Sequence, residues 1–216
     1  MSDFTAAERA ALYRAIELRR DVRAEFLPEP VEADTLERVL GAAHLAPSVG
    51  LSQPWRFIVI RDRAMRHAVH AAFIQANAKA AEMYEPAIAE RYRSLRLEGI
   101  LDAPVNICVT CDETPTQGNA LGRISMPETA RYSTVCAIQN LWLAARVEGL
   151  GIGWVSILDP ADVRTLLAIP ERLAIVAYLC VGYVASFALV ADLERDHWET
   201  RVALADVVDY ERYGGR

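Results

Sequence analysis

Apolar residues recur at helical spacing twice near the start of the chain: Leu12 and Ile16 with the alanines around them over residues 5–20, and Leu36, Val39, Leu40 and Ala43 over 31–46. Both segments are expected to be amphipathic helices. A loop punctuated by Pro47, Gly50 and Pro54 then feeds the β-like run 56–60, Arg-Phe-Ile-Val-Ile. Residues 61 to about 99 read as helical and polar, broken at Pro86, with Met83, Tyr84, Ile88 and Tyr92 set among charges. The apolar run 105–111 predicts a buried strand, and 112–127, rich in Thr, Pro, Gly and Asn, an exposed loop. Residues 134–145 form a helix apolar on nearly every side, so protein must surround it, in the core or from a second subunit. Glycines at 149, 151 and 153 precede a strand-like run, 154–158. Asp159-Pro160 starts a short helix to 168, and 173–184, dense in β-branched residues, is the last strand. The tail 185–216 carries enough aromatic and aliphatic residues that it must pack on something. Strands separated by helices suggest, on pattern alone, a parallel doubly wound sheet. With no repeat and no linker, 1–216 reads as a single domain.

Composition narrows the function classes. A chain of 216 residues is long enough to bury its own core. Its net charge of −6 argues against a nucleic-acid or acidic-membrane partner, so any basic site must be local. No stretch has the order of a signal peptide and no apolar run approaches the ~20 residues that span a bilayer, so a cytoplasmic location is expected. The four cysteines are then expected to be thiols. Cys108 and Cys111 form a CxxC, but on a strand their odd separation sends them to opposite faces, so neither chelation nor dithiol chemistry follows. These two, Cys136 and Cys180 are all read as core thiols. His67 and His70 lack a partner at ligand spacing and are read as surface residues, and no metal is expected.

The densest chemistry lies in Arg19-Arg20-Asp21-Val22-Arg23. Arginine presents a planar fork of donors that matches phosphate oxygens, and on a helix Arg19 and Arg23 would share a face. This is either a grip for a phosphate monoester or a solvated basic end of a helix, which the macrodipole favours. In the following loop Ser48, Gln53 and the Gly50 backbone suit the edge of a planar heterocycle, unless the loop is only a connection. The glycines at 149–153 fail as a dinucleotide motif, because they follow a helix rather than a strand. They are either a helix cap and turn residues or a place where backbone amides approach a flat ligand. The segment around 73–100 is either a solvated excursion or a lid.

Taken in order, Arg19-Arg20-x-x-Arg23, Ala46-Pro47-Ser48 with Gln53-Pro54-Trp55, the glycines 149–153 and a late Arg201 resemble the nitroreductase-like flavoproteins, over almost the whole chain. The resemblance implies FMN, with Arg19, Arg20, Arg23 and Arg201 on its phosphate. It places Pro47, Ser48, Gly50 and Gln53, together with Gly153, Trp154, Val155 and Ser156 of the glycine-rich segment, around the isoalloxazine. It also implies an α+β fold in place of the parallel one: a mixed, mostly antiparallel sheet flanked by helices, in a homodimer that shares each flavin and exchanges its C-terminal arm, 185–216. Arg131-Tyr132-Ser133, the run 140–146 and Gly153-Trp154-Val155-Ser156 resemble one branch of that family, in which reduced FMN is the substrate. There dioxygen breaks the flavin down to 5,6-dimethylbenzimidazole, the lower ligand of vitamin B12, and erythrose 4-phosphate.

Two departures accompany the resemblance: Asp21 stands where a small polar residue is common, and Leu51 where an asparagine often faces the flavin. Phosphate repels a carboxylate, so Asp21 is expected to face the ring or the reacting sugar carbon, or else to neutralise Arg20 or Arg23. The implied roles are Asp21 as general acid or base and Ser156 as a hydrogen-bonding group near flavin N5. Oxygen adducts of reduced flavin collapse in water, so a dry chamber is required, with the 73–100 lid and its Met83, Tyr84, Ile88 and Tyr92 to close it. A separate reductase would supply reduced FMN. The competing readings are an NAD(P)H-dependent nitroreductase or flavin reductase, and an FMN carrier without chemistry.

Overall fold

A computed structural model of the protein describes residues 3–215. Helix α1 (Ala6–Leu18) starts in a capping box, where the Thr5 side chain accepts from the Glu8 amide and the Glu8 carboxylate accepts from the Thr5 amide. Helix α2 (Ala33–His44) leads through the Pro-Ser loop into strand β1 (Trp55–Ile60). Asp62 caps α3 (Arg63–Glu82), and Pro86, whose missing N–H costs nothing in a first turn, opens α4 (Pro86–Ser94). Strand β2 (Val105–Asp112), helix α5 (Thr129–Val147) and strand β3 (Leu150–Val155) follow. Helix α6 (Pro160–Leu166), capped by Asp159, leads to β4 (Leu173–Tyr183), and the short α7 (Asp192–Arg195) lies in the tail.

The sheet order is β1-β2-β4-β3 and every neighbouring pair is antiparallel. The α+β expectation holds, and the parallel doubly wound one does not. Between β1 and β2 the chain passes through two helices, α3 and α4, which return it to the end it left, so β2 runs back against β1. The crossover β2-α5-β3 does join strands of one direction, but β4 is inserted between them and pairs with both.

Each face of the sheet carries a core. On one, Val105, Ile107 and Val109 meet Leu36, Val39, Ile138 and Leu141 of α2 and α5; on the other, Cys108, Tyr178 and Cys180 meet Val69, Phe73 and Val163 of α3 and α6. Burial on both sides explains why β2 and β4 read as continuous apolar runs. Three expectations change. Strand β3 begins at Leu150 and ends at Val155, so Gly151 and Gly153 lie inside a strand and only Gly149, with φ +81°, caps the preceding helix. Helix α5 buries one face in this chain, while Tyr132, Val135 and Val147 are exposed. Cys136 lies on that outer face and is exposed, whereas Cys108, Cys111 and Cys180 are buried.

Candidate functional site

The arginine segment is not helical. Helix α1 stops at Leu18, Arg19 is already extended (φ −66°, ψ 134°), and the chain runs alongside β3, with Asp21 bridging Ile152 in parallel and the Val22 amide donating to Ile152 O at 2.8 Å. Arg19, Asp21 and Arg23 therefore share a side by the two-residue period of extended chain rather than by a helical turn. The glycines of β3 make this contact possible. A Cβ on Gly153 would collide with the backbone carbonyl of Val22, and one on Gly151 would press on the Val22 side chain at 3.0 Å.

The guanidinium of Arg19 stacks 5.0 Å from the Trp142 ring centroid. Burial lowers its pKa; Asp21 opposes that shift, while the charges of Arg20 and Arg201 add to it, which places Arg201 within electrostatic reach of the grip. The carboxylate of Asp21 is held from two sides: Oδ2 accepts from Arg23 Nε at 2.8 Å and Oδ1 from the Trp154 amide at 2.9 Å. It pairs with Arg23 and not with Arg20. Arg20 faces the other way, donating to Glu17 O, Arg19 O and Leu189 O. Its Nε is buried without a partner. Arg23 gives only its Nε to a hydrogen bond among the described residues, so its two terminal nitrogens remain for a ligand. A cavity of about 290 Å³ opens here between Arg20, Asp21, Arg23, Ser186 and Asp192. Half-buried, mutually repelling guanidiniums with spare donors fit a dianionic phosphate, which would relieve their repulsion.

The Pro-Ser loop is built separately. Ser48 Oγ accepts the Gln53 amide at 3.1 Å, and the Val49 amide donates to Ser133 Oγ at 3.0 Å. Gly50 (φ +55°) and Gly118 (φ +80°) meet backbone to backbone, so that a Cβ on either would press on the other's carbonyl. Gln117 Nε2 donates to Leu51 O at 2.9 Å, while Pro47 is exposed. Gln53 faces a cleft of about 1090 Å³ that runs under β1, with His44, Trp55 and Phe57 in its wall. The loop and the arginines do not meet in one chain. The loop rests on Ser133 and Arg19 on Trp142, nine residues along α5, or about 14 Å at 1.5 Å per residue.

Val155 is buried in the core and Ser156 is exposed at the end of β3. In the expected lid, Met83, Tyr84 and Ile88 are exposed, and Tyr92 is buried with its hydroxyl donating to Asn77 Oδ1 at 2.7 Å. Arg201 forms a loose pair with Glu194 at 3.5 Å. Three residues of the resembling motifs, given no role from the sequence, prove to be supports, namely Trp142 under Arg19, Ser133 under the Pro-Ser loop and Arg146 stacked 3.7 Å over Phe187, and Trp198, whose ring meets Tyr84 and Tyr92, is one that the sequence did not single out. All four are tertiary contacts between distant segments. Among the described residues no group of His, Cys, Asp and Glu is placed to hold a metal, and no helix is long and apolar enough to cross a membrane.

Comparison with known proteins agrees with this fold. Residues 16–183 match the model of the nitroreductase family. The chain is 45% identical over 198 residues to the 5,6-dimethylbenzimidazole synthase of Rhodospirillum rubrum, covering 92% of this chain and 93% of that one. It is 43% identical over 180 residues to the protein of the same name from Rhodobacter capsulatus, covering 83% and 86%. The crystal structure of oxidised iodotyrosine deiodinase bound to FMN and 3-iodo-L-tyrosine has the same fold, with a TM-score of 0.75 at 22% identity, over 94% of this chain and all of that one.

Proposed function

Because this chain belongs to the nitroreductase family, we propose that it fragments reduced FMN with dioxygen to 5,6-dimethylbenzimidazole and erythrose 4-phosphate. The observation that carries the reading is the carboxylate of Asp21, fixed between Arg23 and the Trp154 amide inside an arginine grip, in a chain 45% identical to a named synthase. Phosphate repels a carboxylate, so Asp21 is not itself a phosphate ligand; it orients Arg23 and is left for proton chemistry.

In this reading Arg19, Arg23 and Arg201 take the phosphate, and Arg20 fastens the segment at Leu189 of its own chain. Pro47, Ser48, Gly50 and Gln53 border the ring from one side, and Gly153, Trp154, Val155 and Ser156 from the other. Reduced FMN supplies the electrons and the carbon skeleton that dioxygen oxidises. Asp21 moves protons during bond cleavage, and the Ser156 hydroxyl hydrogen-bonds near N5. Residues 73–100, with Met83, Tyr84, Ile88 and Tyr92, exclude water.

The proposal extends to a homodimer in which each subunit completes the other's site; within one chain the loop and the grip rest on α5 nine residues apart, at Ser133 and Trp142. The exposed Leu12, Tyr13 and Ile16 of α1, Tyr132 and Val135 of α5, and Val202, Leu204 and Val207 of the arm 185–216 support it, being more apolar surface than an isolated chain leaves bare. We read 1–216 as one domain, working in the cytoplasm beside a separate flavin reductase. Mixing the purified protein with reduced FMN in air tests the function. Loss of the flavin with a benzimidazole product supports it. Steady NADH oxidation with a nitroaromatic and intact flavin would mark an ordinary reductase, and simple reoxidation a carrier.

A further inference from the structure

After β4 the chain does not leave the domain at once. The Ala185 amide and the Ser186 hydroxyl are held by Glu25, at 3.0 and 2.9 Å; Phe187 lies under Arg146; and Leu189 O takes the Arg20 guanidinium. Residues 185–201 are thus a strap laid over the arginine grip and ending at Arg201, whose charge Arg19 senses.

Midway, the strap turns through α7 into a specific cap. The His197 amide donates to Glu194 O at 3.2 Å and the Trp198 amide to Leu193 O at 2.8 Å, with His197 in the left-handed region at φ +55°. This crossed pair of bonds is a Schellman motif, which fixes the direction in which the next side chain leaves. That side chain is Trp198, and it points into the helix pair α3–α4. Its ring lies 5.9 Å from Tyr84 and 6.3 Å from Tyr92, which are themselves 5.0 Å apart. Arg91 stacks over the indole at 5.8 Å and also donates to His197 O. Around the junction of α3 and α4, Met83, Tyr84 and Ile88 are exposed, so this cluster is what pins the pair to the rest of the chain on that side.

We propose that Trp198 is a positioning residue that couples the lid to the phosphate grip through the strap. Leu189, held by Arg20, and Arg201, whose charge Arg19 senses, lie on either side of the Trp198 turn. A phosphate that draws Arg201 towards Arg19 and Arg23 therefore tightens the strap and holds Trp198 more firmly against the two tyrosines it already touches. The lid orders when a phosphorylated flavin is bound, and a flavin without phosphate leaves it loose. This rests on the reading of Arg19, Arg23 and Arg201 as a phosphate grip.

Hydrogen exchange on the full-length protein, wild type, Trp198→Ala and Trp198→Phe, tests it with no ligand, with FMN and with riboflavin. In wild type FMN should slow exchange across 83–94 by about tenfold and riboflavin should not, the scale expected for ordering one aromatic cluster. In Trp198→Ala the slowing disappears while FMN still binds within about threefold of wild type; with reduced FMN in air, hydrogen peroxide and oxidised flavin replace the benzimidazole. Trp198→Phe restores both. Should Trp198→Ala fold poorly, Arg91→Ala, which removes the cation from the outer side of the indole, must weaken the slowing in the same direction. Equal slowing by riboflavin, or full slowing and full product yield in Trp198→Ala, overturns the coupling. A wild type that binds FMN no better than riboflavin refutes the grip instead, and exchange in the unliganded variants then decides whether Trp198 holds the lid at all.

Discussion

Gly153 gives the sharpest mutational test, because its missing side chain is filled by backbone and not by ligand. In Gly153→Ala the new Cβ would lie about an ångström inside the 3.0 Å limit that real Cβ atoms keep from the Val22 carbonyl oxygen. A peptide carbonyl cannot rotate aside like a flexible side chain, so the segment 20–23 must lift from β3. Lifting it by roughly an ångström takes the 2.8 Å bond from the Val22 amide and the 2.9 Å bond from the Trp154 amide to Asp21 out of range. The first bond is worth about 1 kcal/mol and the second, to a carboxylate, about 1.5–3; residual crowding adds about 1. The total of about 3–5 kcal/mol is a large part of the roughly 5–15 kcal/mol that holds an ordinary domain folded. Urea unfolding followed by circular dichroism reads this directly. Because the lifted segment carries Arg23 and adjoins Arg19, FMN affinity measured by fluorescence quenching should fall at least about tenfold, or 1.4 kcal/mol. Gly149→Ala is the control. It has φ +81° and nothing within 4 Å of its Cβ position, so it should cost about 1 kcal/mol and leave affinity alone. A Gly153→Ala protein within 1 kcal/mol of wild type, or one destabilised as expected but with unaltered affinity, would refute the link between strand and grip.

Four further outcomes follow from the same contacts. Asp21→Asn and Ser156→Ala should retain FMN binding and lose about 10²–10⁴-fold in product formation, the usual range for a proton-transfer group; product at the wild-type rate excludes those roles. Ser133→Ala leaves the Val49 amide without its acceptor and should cost about 1–3 kcal/mol with weaker FMN binding; an unchanged denaturation midpoint would count against the support of the loop. Cys136 is exposed on the outer face of α5 and should be alkylated rapidly in a monomeric variant such as Val135→Asp but slowly in the assembled protein; equal rates contradict the interface. Burial raises the pKa of Cys108 from 9.0 to about 12, so its contribution is fully present below pH 9 and is lost as pH rises through that window. By pH 10 Cys108 alone should remove on the order of 1 kcal/mol from the unfolding free energy, with Cys180 and Tyr178 shifted in the same direction, and a flat profile from pH 8 to 10 would disprove it.

The helices and the two central strands were legible because their signals are local. Apolar spacing marks α2, continuous β-branched runs mark β2 and β4, and Pro86 marks the start of α4. Sheet topology was not, because the insertion of β4 between β2 and β3 is decided by tertiary packing and leaves no trace in the order of elements. The conformation of Arg19–Arg23 was misread for a related reason. Helical propensity continues past Leu18, but pairing with β3 captures the backbone, and the cause of that pairing lies about 130 residues away in Gly151 and Gly153. Only the order of motifs, carried by resemblance, joined those two segments. The apolar circumference of α5 predicts cover on every side, and in a single chain one face of it stays bare.

The most direct test is a mass balance. One equivalent of protein is exposed in air to reduced FMN and, in parallel, to reduced riboflavin, and intact flavin and benzimidazole are quantified after a single turnover. Loss of FMN matched by 5,6-dimethylbenzimidazole, with at least about tenfold less from riboflavin because its charge-assisted phosphate contacts are missing, is the predicted result. Full recovery of FMN as oxidised flavin would contradict the account.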